Sequence, residues 1–78
     1  MSEQKQFKIH VYPHSSGWAI IYENEKKPSF IFSDANQALI AARQLGKNLN
    51  AELIVHNKQG EIQYKEKFVA REESIYNN

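Results

Sequence analysis

Seventy-eight residues, 41% of them apolar and 24% charged, describe one small globular domain near the lower limit for burying its own core. Ten Lys and Arg against nine Asp and Glu leave a formal charge of +1, which argues against a dedicated polyelectrolyte binder. Having no cysteine, the chain is excluded from disulfide frameworks, thiolate zinc sites and thiol nucleophiles, and a reducing cytoplasm is the expected compartment.

Met1 to Gln6 are polar and read as a disordered N-terminus without the apolar stretch of a signal peptide. No apolar run approaches the roughly 20 residues of a bilayer span, so no membrane contact is expected. The domain proper is read over residues 7–68. Phe7, Ile9 and Val11 alternate with Lys8, His10 and Tyr12, the period of a half-buried strand. Pro13-His14-Ser15-Ser16-Gly17 supplies a turn, and Trp18 to Glu23 the returning strand of a hairpin. Its run from Trp18 to Tyr22 is apolar on both faces, which leaves its orientation open. After the polar turn Asn24 to Pro28, Ser29 to Phe32 reads as a third strand with Phe30 and Phe32 on one side.

Ser33 or Asp34 caps a helix that runs to Leu49. Ala35, Ala38, Leu39, Ala42, Leu45, Gly46 and Leu49 fall within an arc of about 120°, one apolar stripe of small residues that suits close packing on a sheet. Ile40 falls outside it, and Asn50 is a C-terminal stop able to take left-handed geometry. Ala51 to His56 is a fourth strand with Leu53 and Val55 opposed to Glu52, Ile54 and His56. Asn57-Lys58-Gln59-Gly60 makes a hairpin loop closed by glycine. Glu61 to Phe68 is a fifth strand, with Ile62 and Tyr64 inward and Gln63, Lys65 and Lys67 outward. Residues 69–78 read as a tail or a short helix.

The predicted fold is α+β, in the order β-β-β-α-β-β: an antiparallel sheet with one helix packed on one face. Whether the fourth strand lies beside the first or at the far edge stays open. One helix cannot cover both faces of five strands, so the other is available to solvent or to a partner. That face is expected to carry His10, Tyr12, Ile21, Ile31, Ile54 and His56, with Lys8, Ala19, Lys65 and Lys67 around them. Its apolar centre has the character of a contact surface, and isolated isoleucines are also tolerated on ordinary surfaces.

Four stretches together resemble a known family: His10-Val11-Tyr12-Pro13, Gly17-Trp18-Ala19-Ile20, the helix entry from Phe32 to Arg43, and the hairpin from Ala51 to Ile62. The similarity is to small bacterial and phage proteins of the domain-of-unknown-function 2188 family, over about residues 8–64. Members usually carry Thr at the helix cap where Ser33-Asp34 stands here. The resemblance implies the fold and a cytoplasmic location and brings no catalytic residue. The topology alone also resembles, more distantly, the three-stranded DNA-binding domains of phage and transposon integrases.

Few residues suggest chemistry. His10 and His56 would approach each other if the first and fourth strands were neighbours, but no third ligand accompanies them, so no metal or other cofactor is expected. Ser15 and Ser16 beside His14 lack a nucleophile elbow, and no catalytic residue is assigned. Phe7, Trp18, Phe30, Phe32 and Tyr64 read as core. The expected role is a non-catalytic protein-interaction module, with a second copy of the chain as one partner. The alternative is a weak accessory nucleic-acid binder using Lys8, Lys26, Lys27, Lys65 and Lys67, interspersed with carboxylates.

Overall fold

A computed structural model describes residues 7–68, so the expectations for 1–6 and 69–78 lie outside the described residues. Its elements are β1 (Lys8–His14), β2 (Gly17–Tyr22), β3 (Phe30–Phe32), α1 (Ala35–Leu49), β4 (Glu52–His56) and β5 (Ile62–Lys67). They form one five-stranded sheet in the order β3-β2-β1-β4-β5, with α1 against one face. The fold is α+β.

Three of the four strand pairings are antiparallel, as alternation and tight turns require. The fourth, β1 with β4, is parallel, and this corrects the all-antiparallel expectation. The cause is the helix. Fifteen residues of α1 span about 22 Å, enough to carry the chain back along the sheet. The next strand therefore runs in the same direction as β1 and takes its free edge. Pro13 is tolerated in this central strand because β4 pairs only with Lys8 to Val11, short of the proline that lacks an N–H.

The buried layer follows the alternation. Ile9, Val11, Ile20 and Leu53 are fully enclosed between sheet and helix, joined by Val55, Ala38, Ala42 and Ala51. Each large side chain contributes on the order of 1.5–3 kcal/mol through burial. Trp18, Tyr22, Phe32, Leu39, Ala41, Leu45 and Phe68 pack around them. On α1 the alanines and Gly46 face the sheet, and Ile40 is exposed as the periodicity predicts. Leu49, expected in the stripe, is 42% exposed at the helix's last residue. Phe7, Phe30 and Tyr64 also remain 37–45% exposed and form a rim rather than core, with Phe7 tilted against Tyr22 at 5.4 Å between ring centroids.

Both helix ends are chemically determined. Asp34 is extended and its carboxylate accepts the Asn36 N–H at 3.2 Å, while Asn50 takes φ 54° and its N–H returns to the Gly46 carbonyl. Replacing Asp34 by Ala orphans one helix-start donor and is expected to lower stability by about 1 kcal/mol in a urea unfolding curve. An Asp34→Asn exchange keeps the acceptor and should sit close to the parent chain.

Candidate functional site on the helix-free sheet face

Strand register sorts side chains between faces. His10 stands between Ile21 on β2 and Ile54 on β4, Tyr12 opposite Ala19, and Ala19 opposite Ile31. All six residues expected to form the interaction face, His10, Tyr12, Ile21, Ile31, Ile54 and His56, thus lie on the side away from α1. They are unequal. Ile31 is 48% exposed, whereas Ile54 is only 4% exposed at the middle of the sheet, flanked by His10 and Lys65. Ile54 offers little contact area.

Ile62 joins this face, against expectation. Val55 pairs with Tyr64 but His56 pairs with Ile62, so Gln63 is an extra residue in β5 and the strand is out of step beyond it. Alternation places Ile62 inward; the bulge moves it beside His56, 54% exposed. The bulge at Gln63 lies beyond the turn, which itself sets Asn57 against Glu61 and His56 against Ile62. Gly60 takes φ 85° and donates to the Asn57 carbonyl, and the Asn57 side-chain oxygen accepts from the Gln59 and Glu61 N–H groups. This is the type I turn followed by a bulge that the loop composition implies.

The pairing of β1 with β4 brings the two histidines together. His10 Nδ1 lies 3.0 Å from His56 Nε2, with ring centroids 5.2 Å apart. The outer nitrogens are also engaged: His10 Nε2 meets Glu23 Oε1 at 2.8 Å, and His56 Nδ1 meets the Gly60 carbonyl at 3.1 Å. A carbonyl oxygen can only accept, so His56 donates from Nδ1. An ionised carboxylate can only accept, so His10 donates from Nε2. The pair borders a shallow open cleft of about 440 Å³, lined by His10, Tyr12, Pro13, Ile21, His56 and Gly60. Glu23 was missed by the sequence reading, because its role depends on the turn after β2 bringing it back alongside His10.

Other candidate chemistry stays apart. His14 accepts the Ser16 backbone N–H on Nδ1, at 3.0 Å, within its own turn. Among the described residues, no group of three or more His, Asp or Glu side chains gathers as a metal cage. The lysines considered for nucleic acid are divided: Lys8, Lys65 and Lys67 lie on the helix-free face, while Lys26 and Lys27 are exposed in the β2–β3 connection. Glu52 stands between Lys8 and Lys67 in the register. Arg43 of α1 instead reaches Glu66 and the Tyr64 hydroxyl, both at 3.4 Å, tethering the helix to β5.

Residues 9–68 match the model of a family described as an uncharacterized protein conserved in bacteria. A curated relative, the uncharacterized protein YdaT of Bacillus subtilis (strain 168), is 34% identical over 56 residues. That match covers 72% of this chain but 37% of the relative, so the chain spans little more than a third of that protein's length. No solved structure matches. No helix among the described residues is long and apolar enough to cross a membrane.

Proposed function

This chain belongs to the DUF2188 family of bacterial proteins, and we propose that it is a cytoplasmic, non-catalytic self-association module whose helix-free sheet face packs against a second copy. The supporting observation is the order of charge along one end of that face. Lys8 pairs with Glu52, Glu52 pairs with Lys67, and Glu23 follows Tyr22 beside Lys8, its N–H donating to the Lys8 carbonyl. Across β2, β1, β4 and β5 the row therefore reads minus, plus, minus, plus. A two-fold axis parallel to the strands, between β1 and β4, reverses this row onto itself. Every lysine then meets a carboxylate of the other copy. Ile31 and Ile62 at the two sides of this face supply the exposed apolar area, 48% and 54% exposed, while Ala19 between them is fully buried. The same alternation disfavours a polyanion, since each lysine has a carboxylate neighbour.

Size bounds the strength. Five strands about 4.8 Å apart and about six residues long cover roughly 24 by 20 Å, near 500 Å² per chain. A total near 1,000 Å² is the lower end for specific association, so the dimer is weak. Sedimentation equilibrium at about 0.5 mM chain should give a mass above one chain, reduced by salt and by Ile31→Lys or Ile62→Lys. Lys67→Glu should weaken association and Glu23→Lys in the same chain should restore it. A one-chain mass at that concentration removes the proposal.

A further inference from the structure

Three hydrogen-bonding gaps lie in series from Glu23 through His10 and His56 to Gly60, and both ends of the series only accept. Two neutral imidazoles carry two ring protons, and both are committed outward, to Glu23 Oε1 and to the Gly60 carbonyl. Left facing each other at 3.0 Å are the lone pairs of His10 Nδ1 and His56 Nε2. Two lone pairs at that distance repel unless a cation stands between them. We propose that this pair is a binding site for a late first-row divalent metal ion of the nickel or copper type, with a shared proton as the competing occupant.

The surroundings have the form a metal site needs. Histidine ligands characteristically donate their second ring N–H to a carboxylate or a backbone carbonyl, which fixes the tautomer and raises ligand basicity. Glu23 and Gly60 occupy those two positions here. At metal–nitrogen distances of about 2.0–2.1 Å, nitrogens 3.0 Å apart subtend an angle of about 95° at the ion. That angle suits adjacent positions of a tetragonal or octahedral ion better than a tetrahedral one. Such an ion sits about 1.4 Å off the line joining the nitrogens, so each ring has to turn toward the cleft by as much as about 45°. The cleft gives access and room for water to complete the coordination, which two protein ligands leave open.

The charges around the pair are mixed. Glu23 and Glu52 favour a cation, Lys8, Lys65 and Lys67 oppose one, and Tyr12 lines the same cleft. The helix packs on the opposite face and contributes no charge. The pair lies beside the proposed two-fold axis, so two copies packed through this face would cover the cleft, and the titration reads the dissociated chain.

The test is a calorimetric titration of the tag-free full chain with nickel chloride, at about pH 7.5 and again at about pH 5.5. One ion per chain is expected, with weaker uptake at the lower pH because ion and proton compete for the same lone pairs. His10→Gln and His56→Gln should each abolish that isotherm, Glu23→Gln should weaken it about tenfold, and His14→Gln should leave it unchanged. Paramagnetic broadening in the parent chain reads the site without any substitution, so a Gln variant that fails to fold does not obscure the result. Broadening confined to the His10 and His56 rings supports the site. No saturable uptake, uptake that survives both Gln exchanges in folded protein, or broadening centred on His14 or the carboxylates overturns it.

Discussion

Replacing Leu53 by Ala is expected to remove about 3–4 kcal/mol of folding stability, read as a fall in the urea midpoint at unchanged slope. Leu53 is fully buried on β4, beside Ile9 of β1 and Glu66 of β5 and beneath α1. Its truncation removes apolar transfer energy and leaves a cavity that the flanking strands cannot close without shifting register. A domain of this size has only about 4–12 kcal/mol in total, so the exchange removes between about a quarter and nearly all of it. Ile31→Ala on the opposite face removes a side chain already half exposed and should change stability by less than about 1 kcal/mol. If the two exchanges cost the same, the assignment of faces is wrong.

Gly17→Ala should be comparably severe, for a different reason. Gly17 has φ 135°, outside the range a residue with a Cβ adopts readily, and that Cβ would drive into the Phe32 carbonyl oxygen and the Ser33 Cα. Those are backbone atoms of β3 and the helix entry, so relief requires moving the edge strand rather than turning a side chain. A loss above about 3 kcal/mol is expected in the same denaturation assay. Gly60→Ala is the control: its φ is 85°, but a Cβ there meets nothing within 4 Å. Backbone strain alone should cost about 1 kcal/mol. A Gly17 variant as mild as the Gly60 variant would mean that β3 is not held against that turn.

Much of the fold is legible from local chemistry. Alternation in Lys8 to Tyr12 and in Glu52 to His56 reports the inward sets correctly, whereas Phe7, just before the first run, stays exposed, and Asp34 and Asn50 mark the helix ends because each meets a backbone requirement at its own position. What is not legible depends on non-local geometry. The run Trp18 to Tyr22 is apolar on both faces, so its orientation is decided only by pairing with β1 and β3. Gln63 carries no sign that it is the surplus residue, and Ile62 would satisfy either face. The approach of His10 to His56 is conditional in the sequence on strand order, which the span of α1 decides. Glu23 enters the same cluster only once the turn after β2 brings it back. The membership of the helix-free face could therefore be read from the chain, whereas its hydrogen-bonded centre could not.

The parallel join of β1 to β4 has a consequence for how the polypeptide is made. During synthesis the first hairpin, β3 and α1 leave the ribosome before any of β4, so the inner margin of β1 stays bare until almost the whole domain has been translated. The central contact is also the most distant along the chain, linking Lys8 to Glu52, and its loop-closure entropy makes it a late, rate-limiting event compared with the two hairpins. Chains halted after α1 would present an unpaired template to one another and are the species for which chaperone capture and aggregation should compete.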